Sequence, residues 1–142
     1  MIPRPSGRPA RTKPFPAEKN FQAAAMKRIR DPREEDGWGG DAYHPIGTGA
    51  TSQGEPDIIG VLELVEGGMG RHFTIELKQP GNEPTPKQAA RLRKYADRGS
   101  LAGWATTMEE VDAILEHADD PSWRHPDYPH FRPRAHARSL RA

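Results

Sequence analysis

Apolar and polar positions along the chain change period several times, and each period predicts an element. Over residues 17–30, Phe21, Ala24, Ala25 and Ile29 fall on one helical stripe, and Ala23–Ala25 are strong helix formers. Asp31-Pro32 ends that helix. Arg33 to Asp41 is charged and glycine-rich and reads as a loop. A short strand follows at Ala42–Ile46, then a small polar loop from Gly47 to Glu55. From Ile58 to Leu62 the chain is continuously apolar, the pattern of a strand buried on both faces. After a turn at Glu66–Gly70, residues Arg71 to Lys78 alternate. Phe73, Ile75 and Leu77 point one way; His72, Thr74, Glu76 and Lys78 point to a polar face. The two runs predict a hairpin. Thr85-Pro86-Lys87-Gln88 opens a helix with Thr as N-cap, Pro at the first helical position and Gln three residues after the cap. It runs to about Arg98, where Gly99 stops it. Ser100–Thr106 reads as a strand. Thr107 caps a last helix, with Glu110 as its capping-box partner and Met108, Val111, Ile114 and Leu115 as its buried stripe. The predicted order is α-β-β-β-α-β-α, an α/β class with a small mixed sheet flanked by helices.

Composition narrows this further. The 142 residues are 34% apolar, and the mean hydropathy is −0.89. One small domain with tails fits those values. No apolar run approaches the roughly 20 residues that span a bilayer, so no membrane partner is expected. The Pro- and Arg-rich N-terminus lacks an apolar segment of the secretory kind, and a cytoplasmic location is the expectation. With no cysteine, a disulfide scaffold, a thiolate zinc site and a Cys nucleophile are excluded. The net charge of +1 conceals an asymmetry: residues 1–14 and 121–142 each carry +4, while 15–120 carry −7. An acidic body with basic arms suits a polyanion partner, or else the arms are merely solvated. The division read from this is a Pro/Arg-rich arm at 1–16, a body at 17–118 and a basic Pro/His/Arg-rich tail at 119–142. Five prolines in the first 16 residues argue against regular structure there. The tail either drapes over the body through Trp123, Tyr128 and Phe131 or stays loose.

Three residues carry the candidate chemistry. Asp57 stands at the mouth of the apolar strand, and Glu76 and Lys78 share one face of the next. The hairpin makes these strands neighbours. Two carboxylates about 4 Å apart repel by about 4 kcal/mol at an effective dielectric near 20. A hard divalent cation is the natural compensator, and Mg²⁺ is commonly held by one or two carboxylates. A neighbouring ammonium can orient or deprotonate water, or offset charge in a phosphoryl transition state.

This pattern resembles the PD-(D/E)XK nuclease superfamily: Pro56-Asp57, then Glu76-Leu77-Lys78. The wider string is similar to its VRR-NUC branch, with Gly54-Glu55-Pro56-Asp57-Ile58-Ile59-Gly60, Ile75-Glu76-Leu77-Lys78 and Thr85-Pro86-Lys87-Gln88. The likeness covers about residues 17–115. It implies a restriction-endonuclease-like core and Mg²⁺- or Mn²⁺-dependent hydrolysis of DNA phosphodiester bonds. Asp57 and Glu76 would then be metal ligands, with the Leu77 backbone carbonyl a third. Lys78 would be catalytic base or stabiliser. Branched or junction DNA and a homodimer are the partners it suggests. The rival from another class is a catalytically silent nucleic-acid-binding protein that keeps the fold; a restriction-type or RNA-directed nuclease is the rival among enzymes.

Other residues admit two readings. Gln88 either returns a hydrogen bond to the Thr85 amide or turns toward the active site to hold Lys78 or water; these geometries compete, and the second is preferred. Glu18 assists metal binding, as the resemblance implies, or is a favourable charge in a helix first turn; Gln22 shares its face more weakly. Lys87, Arg91, Lys94 and Arg98 form one basic stripe, for DNA phosphates or for solvent. His125, His130 and His136 lack the spacing of a zinc site. His72 suits contact with solvent or substrate, and His44 stays open. Trp38 covers an apolar edge in preference to stacking on a base. No Gly-rich phosphate loop ending in Lys-Ser/Thr is present, which argues against a nucleotide cofactor.

Overall fold

The computed structural model describes residues 14–43 and 57–131. Helix α1 is Pro14–Arg30 and strand β1 Trp38–Tyr43. Strands β2 (Ile58–Leu64) and β3 (Gly70–Leu77) form the hairpin. Helix α2 (Pro86–Asp97), strand β4 (Leu101–Ala105) and helix α3 (Met108–Leu115) follow, with a 3₁₀ turn at Tyr128–His130. The sheet order is β1-β2-β3-β4. The first two pairings are antiparallel and β3–β4 is parallel. This is a mixed α/β architecture in the order read from the sequence.

The boundaries that moved have physical reasons. Helix α1 starts at Pro14, within the segment where prolines were expected to forbid regular structure. Prolines in a helix's first turn lose nothing, because those amides have no intrahelical acceptor. Ala25 and Ile29 of α1 are buried as expected, but Ala24 is exposed. Strand β1 begins at Trp38 inside the expected loop, not at Ala42. Gly40, which looks like a loop residue, has a packing role in that strand. A Cβ on Gly40 would stand 2.7 Å from Leu62 Cδ2 and 3.0 Å from Ile29 Cγ2. Glycine here lets α1 lie against the sheet. Gly40→Val is therefore expected to destabilise the fold by about 1–3 kcal/mol, measurable as a lowered urea midpoint; an unchanged midpoint would show that α1 is not seated there.

The sheet has two unlike faces. On one, α1 and α3 pack Ala25, Ile29, Val111, Ile114 and Leu115 against Ile58, Leu62, Phe73, Ile75, Leu77, Leu101 and Ala105. Trp38 belongs to this core at 5% exposure, so it neither covers an edge nor stacks on a base. Arg28 of α1 lies over its ring at 5.0 Å. On the other face, Leu92 and Ala96 of α2 meet Ala102 and Phe131. This second layer corrects the expected exposure of β3: Thr74 and Glu76 are buried along with Phe73, Ile75 and Leu77. Strand β2 is the less buried of the pair, with Val61 half exposed.

Gly99 takes φ 98° and ends α2. Thr107 Oγ1 accepts the Glu110 amide, but the Glu110 side chain bonds Thr106 rather than returning to Thr107, one residue earlier than a capping box requires. Residues 119–131 pack on the body. His125 accepts the Asp127 amide on Nδ1 at 3.0 Å, which leaves Nε2–H to donate to the Trp104 carbonyl at 3.1 Å. This segment thereby covers part of β4, an edge strand. Partly buried here, His125 has its pKa lowered chiefly by desolvation.

Candidate active site

The hairpin register places the two acids. Ile58 pairs with Ile75, so one step beyond, Asp57 stands opposite Glu76, on the face covered by α2. Asp57 Oδ2 accepts the Leu77 amide at 2.8 Å. That bond anchors a residue whose own strand has not yet begun. In a strand a residue's N–H and C=O point the same way, so the Leu77 carbonyl also projects toward Asp57. The Lys78 amide donates to Ala105 O at 2.9 Å and continues the β3–β4 ladder one residue past β3. Lys78 is thus held on the Glu76 face, its Nζ 3.9 Å from Glu76 Oε2.

Glu76 is only 3% exposed. Burial, and then the Asp57 charge beside it, push its pKa up to about 9. The folded pKa lies above the unfolded value of 4.5. Stability from this group is complete below the unfolded pKa and is lost as pH rises through the folded one. In metal-free solution the melting temperature is expected to fall between pH 5 and 9 more steeply for the wild type than for Glu76→Gln. Parallel curves would remove Glu76 as the source.

The two geometries expected of Gln88 do not compete, but the group it holds in the site is Glu76, not Lys78 or water. Its Oε1 accepts the Thr85 amide at 2.9 Å, and its own amide donates to Thr85 Oγ1 at 3.2 Å, which closes the capping box. The same side chain donates from Nε2 to Glu76 Oε2 at 2.9 Å. Only the oxygen can accept from Thr85, so the capping bond itself aims the NH₂ at Glu76. One amide both starts α2 and braces the buried acid.

The remaining candidates are more dispersed. Gln22 donates from Nε2 to the Asp57 main-chain carbonyl, at 3.4 Å. Glu18 lies on α1, and its side chain is outside the described residues. Since α1 begins at Pro14, Glu18 is past the first turn, and the helix-end reading for it is withdrawn. Lys87, Lys94 and Arg98 are exposed and Arg91 partly so, opposite the buried Leu92 and Ala96; the basic stripe therefore faces outward on α2. His72 Nδ1 lies 2.9 Å from Ser100 Oγ, and its ring stacks on Tyr95 at 5.7 Å. Gly54, Glu55, Pro56, His44, His136 and both basic arms outside 14–131 lie outside the described residues.

Among the described residues no three His, Asp or Glu side chains converge to hold a metal. Asp57, Glu76 and the Leu77 carbonyl supply two carboxylates and one neutral oxygen, a set that suits Mg²⁺ with water completing its shell. A cation bound there would offset the burial and the Asp57 charge that raise the Glu76 pKa, so binding would favour release of the Glu76 proton. The residues fit.

Sequence reasoning missed Arg28, whose clamp holds α1, the α1–β1 loop and α3 together. It donates to Asp36 through Nη1 at 2.8 Å and Nη2 at 2.9 Å, and to Asp112 through Nε at 2.9 Å. Nothing in the local pattern distinguishes it from other helix-surface arginines. Among the described residues no helix is long and apolar enough to cross a membrane. Comparison of the chain with protein-family models, with curated proteins and with solved structures finds no match.

Proposed function

We propose that this chain is a Mg²⁺-dependent endodeoxyribonuclease of the PD-(D/E)XK type, similar to the VRR-NUC branch, with a restriction-endonuclease-like core. The observation that carries this reading is the pairing of Asp57 with Glu76 at the β2–β3 end, with Lys78 on the same face. Asp57, Glu76 and the Leu77 carbonyl would hold the cation, for which Mn²⁺ would substitute. When bound, the ion supplies charge neutralisation at the scissile phosphate and a more acidic water. Lys78 positions that water or takes its proton, and its ammonium form offsets negative charge as phosphorus becomes crowded. Gln88 holds Glu76 in one orientation throughout. The basic stripe on α2 would contact DNA phosphates, each contact steepening the salt dependence of binding. Branched or junction DNA is the substrate the resemblance suggests, and a homodimer would bring two such sites to two strands.

The test uses labelled linear, flapped and four-way DNA, with Mg²⁺, Mn²⁺ or EDTA, resolved on a denaturing gel. Metal-dependent cutting that is lost in Asp57→Asn and Glu76→Gln is the expected outcome. Binding of the same DNAs with no cutting in either metal would leave the silent binding protein as the correct reading.

A further inference from the structure

On the α3 side of the sheet, away from the Asp57–Glu76 pair, a cavity of about 310 Å³ opens between α3 and the segment that follows it. Trp104, Trp123, His117 and Ile114 wall it, with the carboxylates of Glu110 and Asp127. No lysine or arginine is among the residues lining it. Trp123 is braced by His117, the two rings stacked at 4.7 Å. Each carboxylate is fixed through one oxygen. Glu110 Oε1 accepts the Thr106 amide at 2.6 Å and the Thr106 hydroxyl at 3.0 Å. Asp127 Oδ2 accepts the Trp104 indole N–H at 3.0 Å. Among the described residues, Glu110 Oε2 and Asp127 Oδ1 take no hydrogen bond. Two anchored acids thus keep one acceptor each, beside two indoles.

The chain builds such a group once from its own residues. Arg28 lies over the Trp38 ring at 5.0 Å, and its guanidinium bonds Asp36 twice and Asp112 once. Indole face, two carboxylates and guanidinium make that arrangement. The cavity repeats the first two parts and lacks the third. A phosphate would meet two like charges there. A neutral ring would gain stacking but leave both anionic oxygens unmatched. A guanidinium answers all three features: it is planar, stacks on aromatic faces and carries a fork of N–H donors, and it sheds water more readily than an ammonium.

We propose that this cavity binds an arginine side chain of a partner protein, its guanidinium stacked on an indole and its N–H fork on Glu110 and Asp127. The site is independent of the nuclease reading. It lies on the sheet face opposite the acid pair, so a partner protein and a nucleic acid can be held together. The charge distribution favours this division. The basic stripe of α2 lies on the other face, while residues 15–120 as a whole carry −7, a field that draws in a basic partner.

The experiment follows the three indole N–H signals of the full chain by NMR, without metal or DNA. The probe is a capped glycine–arginine–glycine peptide. Its controls carry citrulline, which keeps the shape and loses the charge, or lysine; cytidine is the neutral ring. The Trp104 and Trp123 signals are assigned by their loss in Trp104→Phe and Trp123→Phe. The arginine peptide is expected to shift both and to leave buried Trp38 unmoved. It should bind about tenfold more tightly than the citrulline peptide, and more tightly than the lysine peptide. Glu110→Gln, at an exposed position, and Asp127→Asn, which can still accept the Trp104 indole, are each expected to weaken binding about two- to fivefold with the melting temperature unchanged. Trp123→Leu should weaken it further, and Trp123→Phe, by restoring an aromatic wall, should recover most of the loss. Equal binding of the arginine and citrulline peptides would overturn the proposal. So would shifts by cytidine alone, which would make this a neutral-ring site, or no shift with millimolar arginine peptide. Equal binding of the lysine peptide would overturn the assignment to a guanidinium.

Discussion

Lys78→Ala is expected to lower metal-dependent DNA cleavage by about 10²–10⁴-fold, the usual contribution of a positioned proton-transfer group. The fold should survive. Lys78 lies at the end of β3, and what anchors it is its main-chain bond to Ala105, which alanine keeps. Its contact with Glu76 is long, at 3.9 Å, so little stability is lost with it. Lys78→Arg divides the two roles open to this residue. Arginine keeps the positive charge but does not give up a proton near neutral pH. Cleavage retained by Arg and lost by Ala identifies an electrostatic stabiliser; cleavage lost in both identifies the proton acceptor. Single-turnover rates on a flapped substrate make the measurement, with melting temperatures as the control. Undiminished cleavage by Lys78→Ala would remove this residue from the mechanism.

Arg28→Ala is expected to cost about 3–5 kcal/mol of stability, because it strands a buried carboxylate. The Arg28 and Asp36 side chains are 9% and 10% exposed. Arg28, through its hydrogen bonds above all, holds the Asp36 carboxyl below the usual range. Without the guanidinium, Asp36 keeps the Arg33 amide, at 2.7 Å, as its remaining described donor. Asp112 of α3 loses its close partner too, and Arg33, at 3.7 Å from it, is a poor replacement. The melting temperature should drop by about 10–20 °C. Arg28→Lys should recover only part of this, since an ammonium cannot present the fork that bonds Asp36 twice and Asp112 once. A loss below about 1 kcal/mol would mean that the clamp is solvated in solution. The prediction is independent of any activity, and it tests whether α1, β1 and α3 form one core.

Element order, the hairpin and both capping threonines were legible in the chain because each rests on neighbours in sequence. Alternation along Arg71–Lys78 put Glu76 and Lys78 on one side of a strand, since a strand's period is two. Thr85-Pro86-Lys87-Gln88 announced a helix start for reasons confined to its first turn. The opposition of Asp57 and Glu76 followed once the hairpin was assumed. What local pattern could not tell was which faces would be covered. The polar face of β3 reads as solvated, and only the return of the chain through α2 buries Glu76 and shifts its proton affinity. Gln88 could not be resolved from sequence either: whether one amide can cap a helix and brace an acid depends on how far α2 stands from β3. Gly40 looks like a loop residue until helix and sheet meet across it. Arg28 becomes a clamp only where three segments distant in sequence converge. Periodicity and capping are short-range steric and hydrogen-bonding effects, so sequence alone determined the elements and the identity of the acids and the amine; burial, charge coupling and the neighbourhood of Trp104 arise from long-range packing, and only the tertiary structure decided them.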